Sequence, residues 1–150
     1  MHLREFFAAE AIGLPLAATT KDEALAEMVA LLQVDEKSAE TLLKMLHRRE
    51  TLGSTGVGRG VAVPHCRSLV VNRLQLAYGY APAGLAFDAA DGLPVNHIFL
   101  IVAPPNEMSN QYLPTLGKIA QLAKEPGVIE QLSRLTSADE FLQLLTDKGV

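Results

Sequence analysis

The sequence predicts one α/β domain in which helices cover a β-sheet, and three observations predict it. Capped, helix-periodic segments stand near both ends of the chain, three strand-like apolar runs fill its middle, and no linker or internal repeat divides its 150 residues. That length suffices for a full core, and 49% hydrophobic with 20% charged residues is an ordinary globular balance. Residues 1–150 therefore read as a single domain.

The elements follow in order. Thr20 with Glu23 forms a capping box, after which Ala24, Leu25, Met28, Leu31 and Leu32 recur at helical spacing. A second helix starts at Asp35 and carries Leu42, Leu43 and Leu46 towards Arg48 and Arg49, cations suited to the negative end of a helix. The strand-like runs are Gly60–Val63, Leu74–Ala81 and Val95–Val102. Between the last two, residues 82–94 contain Gly84, Asp88, Asp91 and Gly92 and read as loop and turn. Pro104 and Pro105 close the third run. Helices are expected over Gln111–Lys124 and Pro126–Arg134. Ser137 with Glu140 then caps a last helix whose face is Phe141, Leu142, Leu144 and Leu145.

Composition excludes several function classes. A net charge of −4 without any basic block argues against nucleic acid as a partner. No apolar run approaches the length needed to span a bilayer, and residues 1–10 lack the basic-then-apolar layout of a secretory signal. The single cysteine, Cys66, rules out an internal disulfide and fits a reducing compartment, so a cytoplasmic location is expected. The four histidines lack metal-ligand spacing, and neither a metal nor a cofactor is expected.

The chemistry concentrates in Gly53-Ser54-Thr55-Gly56-Val57-Gly58-Arg59-Gly60-Val61-Ala62-Val63-Pro64-His65. Closely spaced glycines mark a backbone that turns sharply or approaches something closely. Val61-Ala62-Val63 reads as a buried strand that Pro64 ends by removing a donor. His65 then stands at the strand's end beside a loop rich in backbone N–H groups, an arrangement suited to an anion, phosphate above all. The loop lacks the Gly-Lys-Ser/Thr ending of a P-loop and lies between helix and strand, the wrong order for a dinucleotide turn.

This stretch resembles the phosphorylation-site motif of the mannitol/fructose-type enzyme IIA domains of the bacterial sugar phosphotransferase system, including their nitrogen-regulatory branch. The resemblance extends to Lys21-Asp22-Glu23-Ala24-Leu25, Arg49-Glu50, Gly84 to Phe87, Asp91-Gly92-Leu93-Pro94-Val95 and Ile98-Phe99-Leu100. It implies a mixed β-sheet flanked by helices on both sides. It further implies that His65 accepts a phosphoryl group from a histidine-containing phosphocarrier protein, and that Arg49 stabilises the phosphate. Ser54, Thr55 and Gly56 are candidate hydroxyl and amide donors to it. Arg59 and Arg67 are near in sequence, but surface roles suit them equally well.

One departure matters. Where the family has a second histidine opening a helix as His-Leu-x-x-Leu-Ala, this chain has Tyr112-Leu113-Pro114-Thr115-Leu116-Gly117. Pro114 is tolerated only in a first turn, which puts Tyr112 at the helix N-terminus. A phenol donates one hydrogen bond but cannot become a cation. Losing a charge-assisted bond there costs about 1–2 kcal/mol, enough to slow transfer roughly tenfold.

Other residues have simpler readings. His47 is a solvated or helix-end residue, His97 a partly buried strand residue, and His2 terminal. Cys66 points away from its neighbour on an extended chain and is a small core filler. Asp88 and Asp91 are turn-formers. Three functions compete: a phosphoryl carrier signalling through His65, a degenerate module that regulates a protein target by binding alone, and an unrelated small-ligand enzyme on a similar scaffold. The lack of attached sugar-binding or membrane segments favours regulation over sugar uptake.

Overall fold

Residues 2–106 and 110–150 are described by a computed structural model of the chain. A short 3-10 helix, Leu3–Phe6, leads into β1, Phe7–Gly13. Two helices follow: α1, Lys21–Leu31, capped by Thr20, and α2, Glu36–Thr51, capped by Asp35. The glycine-rich segment forms three short strands, β2 (Gly56–Gly58), β3 (Val61–Ala62) and β4 (His65–Arg67). The long central strands are β5, Gln75–Leu85, and β6, Val95–Ala103. The chain ends in α3 (Tyr112–Lys124), α4 (Val128–Leu132) and α5 (Ala138–Asp147).

The strands form one mixed sheet in the order β1-β5-β6-β3-β2, with β4 also paired to β6. β1 runs parallel to β5, β5 antiparallel to β6, and both β3 and β4 parallel to β6. Alternation along β6 divides the core into two layers. Ile98, Leu100 and Val102 pack with Leu25, Met28, Leu42 and Leu46 of α1 and α2. Phe99, Ile101 and Ala103 face Ile119, Leu122, Phe141 and Leu145 of α3 and α5. The sheet is thus sandwiched between two helical layers, the architecture the resemblance implied.

Four local expectations change. Phe7–Gly13 is a strand that sequence pattern did not reveal, since only Phe7 and Ala11 along it are buried. Gly56–Gly58 is a strand as well, paired antiparallel to β3. Pro64 does not end the extended run, because its carbonyl accepts from Ile101 N–H at 3.0 Å and pairing with β6 resumes at His65. β5 continues through Pro82 to Leu85, inside the segment expected to be loop. The ladder's register shifts between Tyr80 and Leu85, so Pro82 sits where no donor is required.

Candidate functional site

The site is built outward from Glu50, near the end of α2. Its carboxylate lies 2.9 Å from Lys21 Nζ and accepts from Thr55 N–H at 3.1 Å and from the Thr55 hydroxyl at 2.5 Å. Only 6% of the Glu50 side chain and 21% of that of Lys21 are exposed, so this ion pair is well desolvated. It ties the start of α1, the end of α2 and the glycine loop together. Ser54 reinforces the anchor: its hydroxyl donates to Phe87 O at 2.5 Å and accepts from Gly56 N–H at 3.0 Å. Gly56 must be glycine, because a Cβ there would lie 2.7 Å from Ala89 Cβ and 2.8 Å from Ala89 Cα. Gly60 turns the chain at φ +78°, and its carbonyl accepts from both Asn96 and His97 N–H groups.

This scaffold delivers His65 to the first position of β4, at the edge of the sheet between α2 and α3. Cys66 turns into the core layer beneath α2, and His65 and Arg67 share the opposite face of the strand. His65 Nδ1 is 2.8 Å from Val63 O. A carbonyl can only accept, so Nδ1 carries the proton and Nε2 keeps its lone pair. In the neutral tautomer this contact selects, the ring's free lone pair is on Nε2.

A shallow, open cleft of ≈ 270 Å³ lies beside it, lined by Arg48, Arg49, Leu52, His65 and Tyr112 among others. That is below the range of about 300–1,000 Å³ typical of small-molecule sites, which favours a group presented by another macromolecule. Arg49 is steadied by a 2.8 Å bond from Nη1 to Gly53 O. Among the described residues no carboxylate pairs with Arg48, Arg49 or Arg67. Positive charge left unpaired in a chain of net charge −4 marks an anion site.

Tyr112 is the first residue of α3 and Pro114 lies in its first turn, as the sequence required. The tyrosine is 8% exposed, with its ring 6.1 Å from that of His65, edge to face. Burial pushes its phenol up to about 12, helped by Cys66 and opposed by Arg67 and Arg49. It is therefore neutral at physiological pH. Arg67, for which the sequence leaves a site role and a surface role open, lies here: its Cζ is 4.3 Å from the Tyr112 ring centre, and Nη1 donates to Pro104 O at 3.2 Å. The available signal was the two-residue spacing from His65, which puts both side chains on one face of an extended strand.

The structure thus brings His65, Arg49 and Tyr112 together. Ser54, Thr55 and Gly56 stand apart from the cleft lining, and their hydroxyls and the Gly56 amide are engaged in holding the loop. Arg59 leans the other way, donating to Lys124 O at 3.1 Å. His97, expected to be partly buried, is fully buried. It accepts from the Tyr78 hydroxyl at 2.8 Å through Nδ1, and its Nε2 lies 3.3 Å from Ser133 Oγ. Burial pushes its imidazolium down to about 4. His47 sits 3.6 Å from Asp22 at the half-exposed face of α2. Asp91 forms a turn, its carboxylate accepting from the Arg59 and Leu93 N–H groups. Among the described residues no cluster of His, Cys, Asp and Glu is placed to hold a metal, and no helix is long and apolar enough to cross a membrane.

Known proteins share this fold. A nitrogen regulatory protein of Pseudomonas aeruginosa is 34% identical over 125 residues, 83% of this chain and 80% of that protein. The crystal structure of nitrogen regulatory protein IIA-Ntr from Neisseria meningitidis superposes with a TM-score of 0.87 at 32% identity, covering 95% of this chain and 98% of that one. Escherichia coli mannitol enzyme IIA, in its complex with phosphorylated enzyme IIB, superposes with a TM-score of 0.73 at 25% identity, over 94% of this chain and 99% of that one. Residues 5–148 match the family described as phosphoenolpyruvate-dependent sugar phosphotransferase system, EIIA 2. With nearly its whole length matched and its fold shared, the chain belongs to the EIIA 2 family of the sugar phosphotransferase system.

Proposed function

We propose that this protein is a phosphoryl-accepting regulator, acting in the cytoplasm, that takes a phosphoryl group on His65 from a histidine-containing phosphocarrier protein and signals by its phosphorylation state. The observation that carries this reading is the 2.8 Å contact of His65 Nδ1 with Val63 O, which assigns the lone pair of the neutral tautomer to Nε2 at the edge of a cationic cleft. In the transfer step the Nε2 lone pair forms a new N–P bond while the donor's N–P bond breaks. The electron pair of the broken bond returns to the donor ring, which carries a proton on its other nitrogen and leaves as neutral imidazole. His65 keeps its Nδ1 proton on Val63 O and becomes the ring that bears both proton and phosphoryl group. No general base is needed, because the attacking atom has no proton to lose.

Arg49 supplies positive charge to the phosphoryl oxygens, held in place through Gly53. Ser54, Thr55 and Gly56 contribute indirectly, by fixing the loop from which β3 and β4 emerge. Docking of a protein donor is supported by the exposed apolar side chain of Leu52 at the cleft's rim. The mannitol relative's complex with phosphorylated enzyme IIB lends the same fold a protein partner that carries phosphate. Once phosphorylated, the surface gains a charge of about −1.5 to −2, enough to change how a regulatory target binds.

The test is phosphorylation by phosphoenolpyruvate, enzyme I and the phosphocarrier, followed by intact mass. One acid-labile phosphoryl group should appear on the wild type and be absent from His65→Ala. A second reading has a specific observation in its favour: neutral, buried Tyr112 replaces the family's second histidine. In that reading the site does not turn over and the protein regulates by binding alone. An unphosphorylated wild type in the same experiment would select it.

A further inference from the structure

The feature left unused by this account is Arg67, a cation whose position is fixed from two sides. Its guanidinium carbon lies over the Tyr112 ring, 4.3 Å from the ring centre and within the range of a cation–π contact, while Nη1 donates to Pro104 O at 3.2 Å. The same Tyr112 ring meets His65 at 6.1 Å. His65 and Arg67 are two residues apart on β4, so their Cα atoms lie about 6.6 Å apart with both side chains on one face. Among the described residues no carboxylate neutralises Arg67.

We propose that Arg67 is a second cation, beside Arg49, that contacts the phosphoryl oxygens at His65, and that Tyr112 is a positioning residue whose ring seats the guanidinium. This rests on the reading of His65 as the phosphoryl acceptor. The identities at the two positions are coupled by simple electrostatics. A protonated histidine at 112 would repel a guanidinium at this distance, whereas the electron-rich face of a neutral phenol attracts it. The positive charge expected from the helix position is instead delivered from the strand. A guanidinium stays charged at every physiological pH, so the charge it supplies does not titrate as an imidazole would.

The role is non-covalent: Arg67 hydrogen-bonds the phosphoryl oxygens and gives up no proton. It is tested on the full chain with a small donor, phosphoramidate, which removes protein docking from the measurement. His65 Nε2 attacks phosphorus, the P–N bond of phosphoramidate breaks, and the nitrogen leaves as ammonia. Initial rates are compared for wild type, Arg67→Ala, Arg67→Lys, Tyr112→Phe and Tyr112→Leu, with thermal midpoints measured alongside. Tyr112→Phe keeps the ring face and should slow phosphorylation less than Tyr112→Leu. Arg67→Ala should slow phosphorylation by about tenfold to a hundredfold, the scale of losing one positioned charged donor. Tyr112→Leu should follow it, and Arg67→Lys should recover part of the rate.

Two further readouts separate a phosphate contact from a structural part. Free guanidinium at millimolar concentration should restore Arg67→Ala but not Tyr112→Leu, which still carries the Arg67 side chain. The ³¹P titration of the phosphorylated protein should move to higher pH in Arg67→Ala, because the dianion has lost a cation. A phosphorylated wild type with Arg67→Ala at the same rate and the same ³¹P titration overturns the proposal alone. A wild type that takes no phosphoryl group from phosphoramidate overturns the reading of His65, and this proposal with it.

Discussion

Removing the Glu50 carboxylate should destabilise the fold more than any nearby surface change, and the amount can be worked from the structure. Glu50→Ala leaves Lys21 without its partner at 2.9 Å and leaves both the Thr55 N–H and hydroxyl without an acceptor. Breaking a buried pair by deleting one partner costs roughly 3–5 kcal/mol. Lys21 is 21% exposed and regains some water, which brings the expected loss to the lower end, about 3 kcal/mol. With a urea m-value of roughly 1.5–2 kcal/mol/M, the midpoint should fall by about 1.5–2 M with the slope unchanged. The thermal midpoint should fall by about 6–12 °C for a chain of this size. Glu50→Gln loses the charge and one of the two oxygens that accept from Thr55 but keeps the other, so it should lie about midway. Amide exchange at Thr55 should accelerate in Glu50→Ala. A loss below about 1 kcal/mol with normal slope would refute the claim that this carboxylate anchors the glycine loop.

Three other outcomes are expected. His97 is held neutral with its acidity pushed to about 4, against about 6.5 when unfolded, so the unfolded chain binds the extra proton first. Stability should therefore drop as pH falls from about 6.5 to about 4, by ~3 kcal/mol in total, and His97→Gln should remove that part of the slope in urea titrations at stepped pH. Gly56→Ala drives a methyl against Ala89 backbone and should cost about 1–3 kcal/mol by denaturant melt while slowing phosphorylation of His65. Burial pushes the Cys66 thiol up to about 11, so iodoacetamide at pH 8 should label it slowly in the native protein and readily in urea.

The parts of this structure that sequence revealed are those set by local chemistry. Thr20 and Ser137 accept from Glu23 and Glu140 N–H groups as capping residues should. The reciprocal carboxylates, however, bind Thr19 and Thr136, one residue further out. Pro114 correctly placed Tyr112 at a helix start because proline restricts its own turn so narrowly. What sequence concealed depends on partners far along the chain. β1 pairs with β5 nearly seventy residues later (Phe7 with Leu76) and shows little alternation of its own. Pro64 looked terminal until Ile101 supplied a donor to its carbonyl. The glycine loop's hydroxyls read as free donors because Glu50 and Phe87, which engage them, are visible only in three dimensions. The role of Arg67 stayed open for the same reason, since its seat is a ring 45 residues away.

The central claim is that His65 accepts the phosphoryl group through Nε2 because Val63 O holds the proton on Nδ1. The most direct measurement is a ¹⁵N–³¹P correlation on the phosphorylated, ¹⁵N-histidine-labelled protein, with His65→Ala as the control. One phosphorus resonance coupled to Nε2 of His65, absent from the control, is the result this account predicts. Coupling to Nδ1, or a phosphoryl group that persists in His65→Ala, would contradict it.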